Sequence, residues 1–150
     1  MEKQNPTIGS LIWHLSTRWR TEVDRTVAPL GLTHAQYTVL ASLHAMTSQP
    51  TQRELADVVG LTPIYISKLI RSLESAGNLV RVPDPKDSRA VRLTLSDQGR
   101  ECVVAARDSV RRLDRELTRP LGEPDGEAAS EFRNILKALI QHHKDMGART

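Results

Sequence analysis

The sequence predicts a mainly α-helical fold with one small β-hairpin, and two adjoining patterns predict it. Residues 52–59 and 63–76 each have the apolar spacing of a short helix, and a turn containing Gly60 joins them. A hairpin pattern follows directly, with a turn over residues 83–88 and an alternating strand over residues 91–95. This combination indicates a winged helix-turn-helix, to which helices from both ends of the chain are added.

Bulk composition excludes several classes of protein. The hydrophobic content of 39% and the charged content of 26% are typical of a globular chain, neither disordered nor membrane-spanning. No apolar run approaches the roughly 20 residues of a membrane helix, and the first six residues have no signal-peptide core. The single cysteine cannot form an internal disulfide, so we expect a cytoplasmic protein with no membrane partner.

The excess positive charge is confined to one stretch. Between Leu61 and Leu93 the chain has six cations and three anions, while the other 15 cations and 15 anions balance. Such a basic stretch is a modest footprint for a nucleic-acid partner, which a dimer would double. The charged residues of this stretch are Lys68, Arg71, Arg81, Lys86, Arg89 and Arg92 with Glu74, Asp84 and Asp87.

The second helix of the motif has an apolar stripe and a polar face. Thr62 is its expected N-cap, with Pro63 at the first helical position. Lys68 or Arg71 could donate to guanine or to phosphates, and Pro63 and Tyr65 offer apolar contact to thymine methyls. The alternative is an ordinary solvated helix face. The candidate DNA-binding residues of this helix are Thr62, Pro63, Tyr65, Ser67, Lys68 and Arg71.

Two capping boxes predict the starts of the preceding helices. Thr33 and Gln36 begin a helix that runs to about Met46, and Thr51 and Glu54 begin the helix over residues 52–59. Free N–H groups at a helix start are suited to phosphate. The residues expected to meet the DNA backbone there are Thr51, Gln52 and Arg53.

The flanking helices have stripes that a short chain would struggle to cover. We predict them at residues 7–27, 97–118 and 127–144, with a heptad-like seam in the long helix. We expect residues 33–96 to form a DNA-binding lobe, and residues 7–30 with 97–146 to form the helical dimerisation region of an isologous homodimer. The alternative is that the stripes pack within their own chain.

The chain resembles the MarR family of bacterial transcriptional regulators over about residues 8–143. The resemblance implies a homodimeric DNA-binding regulator, often a repressor of a palindromic operator that a small aromatic or anionic ligand releases. The alternative is a winged-helix architectural or protein-interaction module without a specific operator. Asn78 stands where the family usually has an apolar residue, so we expect a looser start of the first wing strand. The resemblance rests on Gln52-Arg53-Glu54-Leu55-Ala56, Ser67-Lys68-Leu69-Ile70, Pro83-Asp84-Pro85-Lys86-Asp87-Ser88-Arg89-Ala90 and Leu93-Thr94-Leu95-Ser96-Asp97-Gln98-Gly99.

The hairpin tip supplies the strongest single DNA-binding candidate. Arg89 can reach the minor groove, where A·T tracts concentrate negative potential. The match over Asp87-Ser88-Arg89 implies that Asp87 holds the arginine side chain in place, as it does in the family. Lys86 is a candidate phosphate contact. The alternative is a hairpin salt bridge without a nucleic-acid partner.

The first helix supplies a candidate effector site. His14 and Arg18 are an i, i+4 pair close to Trp13, and a ring with a donor and a cation suits an aromatic acid. His34 and Tyr37 could line the same cleft from the second helix. The alternative is that Trp13 belongs to the core and Arg18 to the surface.

Catalytic and metal chemistry find no support in the residue patterns. No nucleophile–base pair, paired carboxylates or phosphate loop is present, and no histidine, cysteine or glutamate cluster has metal-ligand spacing. We therefore expect no enzyme activity, no metal and no cofactor. Cys102 is either a redox sensor or, by preference, an inert buried thiol.

Overall fold

The structure, a computed structural model, describes residues 5–148. It consists of two compact units that divide between Val110 and Arg111. The predicted fold, mainly α-helical with a two-stranded wing, is confirmed. No helix of the described residues is long and apolar enough to cross a membrane. The elements are α1 (Ile8–Val27), a 3₁₀ turn (Ala28–Leu30), α2 (His34–Ala45), α3 (Gln52–Val59), α4 (Pro63–Ser75), β1 (Leu79–Pro83), β2 (Val91–Leu95), α5 (Asp97–Leu117), a 3₁₀ turn (Arg119–Leu121) and α6 (Glu127–Gly147).

Both capping boxes are present at the predicted starts of α2 and α3. The Thr33 hydroxyl accepts the Gln36 backbone N–H at 3.2 Å, and Gln36 Oε1 accepts the Thr33 N–H at 2.9 Å. Thr51 and Glu54 form the same reciprocal pair at 3.2 and 2.7 Å. These bonds satisfy N–H groups that a helix start otherwise leaves without a partner, so they fix where the helices begin.

The core of the first unit lies where α2, α3 and α4 meet. The α4 stripe is fully inside, with Ile66, Leu69, Ile70 and Leu73 between 0 and 8% exposed. Removing side chains of this size from water stabilises the fold by about 1.5–3 kcal/mol each. The packing therefore fixes which side of α4 faces outward.

The wing is an antiparallel hairpin docked on the helix-turn-helix. Its register pairs Leu79 with Leu95 and Pro83 with Val91. The Leu93 N–H donates to the Pro50 carbonyl at 2.8 Å, which ties β2 to the loop before α3. Because Leu79, Leu93 and Leu95 are buried, the hairpin root is held by the core and only the tip projects.

The expectation that Asn78 loosens the start of the wing is wrong. Asn78 is buried, its carbonyl accepts the Ser96 N–H at 3.2 Å, and its side-chain oxygen accepts a bond from Gln98 at 3.2 Å. Gly99 packs against it so closely that an added Cβ would lie 1.8 Å from the Asn78 carbonyl oxygen. The polar side chain is satisfied by the first turn of α5, which joins that helix to the end of α4.

The apolar residues at the start of α1 are not covered within a single chain. Val23 and Val27 are buried, whereas the first two turns expose their large apolar side chains, Trp13 included. The exposed apolar residues there are Ile8, Leu11, Ile12, Trp13 and Leu15.

The second unit has an exposed stripe of its own. Its helix α6 ends at Gly147, three residues beyond the predicted end. The stripe is 37–57% exposed along its length and comprises Phe132, Ile135, Leu136, Leu139 and Ile140. Ala129, by contrast, is buried near the start of the helix.

Candidate nucleic-acid interface

The outward face of α4 is polar and cationic, as predicted. Thr62 caps the helix and Pro63 occupies its first turn, so the helix begins where the sequence analysis expected. Lys68 and Arg71 are exposed, and Ser67 is half-buried beside them, with its hydroxyl accepting a bond from Arg71 at 3.3 Å. Tyr65 is also exposed. All six candidates on this helix therefore lie off the buried stripe.

One outward residue was missing from the sequence analysis. Ile64 lies in the first turn of α4 and is 75% exposed, compared with 45% for Tyr65. The signal was available in the sequence, because Ile64 precedes Lys68 by four residues and Arg71 by seven. Positions i, i+4 and i+7 share one helix face.

The hydroxyls of Thr51 and Thr62 cap their helices, and that of Thr62 retains a donor for a phosphate. The Thr51 hydroxyl accepts the Glu54 N–H at 3.2 Å, and the Thr62 hydroxyl accepts the Tyr65 N–H at 3.4 Å. A hydroxyl that accepts such a bond still has its own O–H proton to donate. Thr62 can therefore cap α4 and contact a phosphate oxygen at the same time, whereas the Thr51 hydroxyl also bonds to the Glu54 carboxylate.

Two of the six cations of the basic stretch form ion pairs within the chain. Arg81 pairs with Glu74 at 3.1 Å. Arg92 pairs with Asp84 and, at 2.9 Å, with Glu54 of α3. It also donates to the Gln49 carbonyl at 3.2 Å. The Arg92 pairs brace the wing against the helix-turn-helix, a role that the charge count alone did not reveal.

The brace keeps its charges at neutral pH. The backbone N–H of Lys86, followed by Arg92, lowers the pKa of Asp84 below its ordinary value of 3.8. Backbone and hydroxyl bonds from Thr51 lower the pKa of Glu54 below 4.5, and Asp84 raises the pKa of Arg92. Hydrogen bonds to a charged form favour that form, so the wing remains braced across the physiological range.

Apart from the paired Arg81 and Arg92, the basic stretch has four cations, and all four face outward. Lys68 and Arg71 lie on α4, and Lys86 and Arg89 lie at the wing tip. Within residues 5–148, none of the four has an ion pair. The excess charge of the stretch is therefore presented by two elements, the helix and the tip.

The structure corrects the role expected for Asp87. Its carboxylate accepts the backbone N–H of Arg89 at 2.9 Å, and no ion pair joins the two side chains in the described part of the chain. The Asp84 carboxylate meanwhile accepts the N–H groups of Lys86 and Asp87 at 2.7 and 3.2 Å. The two aspartates fix the main chain of the tip, and Asp87 leaves the guanidinium of Arg89 free to reach outward. Ser88 is exposed between them.

The five candidate effector residues lie on α1 and α2. Trp13 is 70% exposed, and His14 and Arg18 are exposed as well, so Trp13 is not a core residue of the single chain. His34 is half-buried, and its backbone N–H donates to the Asp24 carboxylate at 2.6 Å. At a rise of 1.5 Å per residue, Trp13 lies about 16 Å along α1 from Asp24. The structure therefore does not bring Trp13 next to the backbone of His34. Tyr37 is half-buried on α2.

A small polar cavity of about 130 Å³ lies elsewhere in the first unit, between the α2–α3 loop and β2. Ser48, Leu93 and Arg100 are among its lining residues, and none of the five effector candidates reaches it. Cys102 is half-buried, and burial raises the pKa of its thiol above 9.0. A protonated thiol is a weak nucleophile, which favours the inert interpretation.

Comparisons with known proteins agree with this geometry. Residues 32–91 match the model of the MarR family. The chain is 33% identical over 113 residues to the uncharacterized HTH-type transcriptional regulator YdcH of Bacillus subtilis, covering 73% of this chain and 77% of that protein. A cysteine-to-serine mutant of MarR from E. coli, complexed with operator DNA, has a TM-score of 0.78 and 26% identity over 88% of this chain and 92% of that one. CouR from Rhodococcus jostii RHA1, bound to p-coumaroyl-CoA, has a TM-score of 0.80 and 26% identity over 93% and 95%.

The docked wing and the outward cations of α4 define a winged helix-turn-helix DNA-binding protein. The chain belongs to the MarR family of transcriptional regulators. The resemblance and the fold inferred from the sequence are thereby confirmed. The expectation that the chain is not an enzyme is confirmed too, because its relatives are transcriptional regulators.

Proposed function

We propose that the protein is a homodimeric repressor that binds a palindromic operator and is released by a small-molecule effector. The observation that carries the proposal is the set of four outward cations, Lys68 and Arg71 on α4 and Lys86 and Arg89 on the wing tip. A helix in the major groove and a hairpin over the adjacent backbone would use both elements at once.

Each group of residues has a distinct proposed contact. Lys68 and Arg71 meet guanine edges or phosphates in the major groove, while Arg89 enters the minor groove. Lys86 and the α3 start meet the sugar–phosphate backbone. The proposed contact of Arg89 is supported by the hydrogen bonds that already hold the main chain of the tip. Because that main chain is ordered before binding, little further conformational entropy is lost when Arg89 contacts DNA. The α3 residues in this proposal are Thr51, Gln52 and Arg53.

The homodimer is supported by apolar surface that a single chain exposes. The first turns of α1 and the stripe of α6 leave large side chains in water. Contiguous exposed apolar surface of this kind marks an interaction site. An isologous dimer would cover these faces and present two copies of α4 to two half-sites, as a palindrome requires.

Effector release is supported by the relatives and by the chemistry of α1. MarR was crystallised with operator DNA and CouR with p-coumaroyl-CoA, an aromatic and anionic molecule. Trp13, His14 and Arg18 offer an exposed ring, a donor and a cation on one helix. We propose that a small aromatic or anionic effector binds there in the cytoplasm.

The test compares specific with non-specific binding. Full-length protein is used to select duplexes from a randomised pool, and the affinity of the enriched duplex is then compared with that of a random duplex. We expect a specificity ratio of at least about 10³, the lower end for specific regulators. Equal affinities would reject the operator and favour the architectural alternative. A thermal-shift screen of aromatic and carboxylic acids, followed by displacement from the enriched duplex, tests effector release.

A further inference from the structure

The most exposed large apolar side chain of residues 5–148 lies on α4, the helix that carries Lys68 and Arg71. Ile64 is 75% exposed, although it lies in a helix whose other isoleucines, Ile66 and Ile70, are buried. It precedes Ile66 by two residues, which turns it about 200° around the helix axis. Ile64 therefore lies on the side of α4 opposite the core.

Its neighbours on that side are the two cations of the helix. Ile64, Lys68 and Arg71 are at positions i, i+4 and i+7, so they follow one line along the outward face. Ile64 stands at the N-terminal end of that line. In a helix-turn-helix the N-terminal residues of the second helix are the ones that reach base edges.

The main chain beneath Ile64 is rigid. The Thr62 hydroxyl accepts the Tyr65 N–H at 3.4 Å, and the Thr62 carbonyl accepts the Ile66 N–H at 2.9 Å. Pro63 fixes the backbone of the first turn, and a β-branched side chain in a helix has one preferred χ1 rotamer. Ile64 is therefore a preorganised apolar knob, and its contact with DNA would cost little conformational entropy.

We infer that Ile64 is a specificity-determining residue that covers the C5-methyl group of a thymine in the major groove of each half-site. The inference rests on the proposed operator binding and goes beyond it by stating a base preference. Among the bases, thymine alone offers a methyl group in that groove. A protein partner is a weaker reading of the same side chain, because it would have to accept Lys68 and Arg71 along the same line.

The experiment removes the thymine methyl group from the DNA or the Ile64 side chain from the protein. The operator is the duplex that wild-type protein enriches from a randomised pool, and each of its thymines is replaced in turn by deoxyuridine, which lacks only the methyl. We expect one symmetry-related position at which wild-type affinity falls about four-fold per half-site, the value of one buried methyl group. In Ile64→Ala the same replacement has no effect, and affinity for the thymine duplex is already reduced.

Val58→Ala supplies the matched control. Val58 is an exposed aliphatic residue of the same helix-turn-helix, but it lies in the last turn of α3. We expect it to discriminate thymine from deoxyuridine as wild type does. Circular dichroism checks that both variants keep the fold, which the exposure of both residues favours.

Three results would overturn the inference, and they differ in whether the operator proposal falls with it. If the pool converges on an operator but Ile64→Ala still discriminates thymine from deoxyuridine at every position, the role of Ile64 is wrong and the operator proposal stands. If the pool does not converge for wild type, the operator proposal falls and the inference falls with it. Loss of a protein partner in Ile64→Ala, with DNA binding intact, would also reject it.

Discussion

Helices α4 and α6 have the same kind of apolar stripe, but the stripe of α4 is buried and that of α6 is exposed. The α4 stripe is at most 8% exposed, whereas the α6 stripe is 37–57% exposed. Both follow helical periodicity, which determines that a stripe exists and leaves open what covers it. The core supplies the cover for α4, and a second copy of the chain is our proposed cover for α6. The two helices should therefore respond differently to substitution.

Ile70→Ala should have the largest effect. It removes a fully buried side chain from the core under α4 and should lower the free energy of unfolding by about 2–5 kcal/mol. Chemical denaturation at fixed protein concentration measures the loss. Val104→Ala, at an exposed position of α5, is the control and should change stability by less than about 0.5 kcal/mol. Similar losses for the two variants would contradict the buried stripe.

Leu136→Asp should separate assembly from folding. A carboxylate in the proposed apolar interface would lose its hydration without a partner, so we expect the dimer dissociation constant to rise at least ten-fold. Analytical ultracentrifugation measures it, and far-ultraviolet circular dichroism should show that helicity is retained. Lys137→Asp, on the neighbouring exposed position, controls for added charge. An unchanged dimer would show that α6 is covered in another way.

Arg89→Ala should weaken operator binding and leave both the dimer and the helicity unchanged. The loss of a groove contact should cost about 1–3 kcal/mol in binding free energy, as measured by fluorescence anisotropy on the selected duplex. Lys86→Ala, by comparison, should lower affinity uniformly across sequences and reduce the salt slope by about one. Unaltered affinity in Arg89→Ala would reject a wing contact.

His34 should give the smallest effect, a pH dependence of stability. Burial, more than the opposing influence of Asp24, lowers its pKa below 6.5, and Arg20 adds to the lowering. The folded state then binds fewer protons than the unfolded chain. Stability from this group is complete above about pH 6.5 and is lost as the pH falls through the folded pKa.

Urea midpoints at about pH 7.5 and 5.5 measure this dependence. Asp84 and Glu54 remain charged over that range because their pKa values are lowered from already acidic values. We expect the midpoint of wild type to fall further than that of His34→Gln on acidification. An equal fall of the urea midpoint in the two proteins would mean that burial of His34 does not disfavour its charged form.

Much of the interface was visible before the structure. The caps at Thr33, Thr51 and Thr62 and the buried stripe of α4 follow from local rules, in which spacing and side-chain chemistry act over three or four residues. Ile64 was missed, although the same spacing places it on the outward face with Lys68 and Arg71. Arg92 was counted only as a cation of the basic stretch, because its partner Glu54 lies 38 residues away and no local pattern joins the two.

The sequence by itself determined the helix starts, the wing and the family, because capping and periodicity are local properties of the chain. Tertiary structure decided which charges are available. Folding brings Arg92 to Glu54 and satisfies Asn78 with the start of α5. These pairings join distant segments, so no local pattern encodes them. The cations of the basic stretch that have no ion pair within residues 5–148 are those that we propose the operator meets.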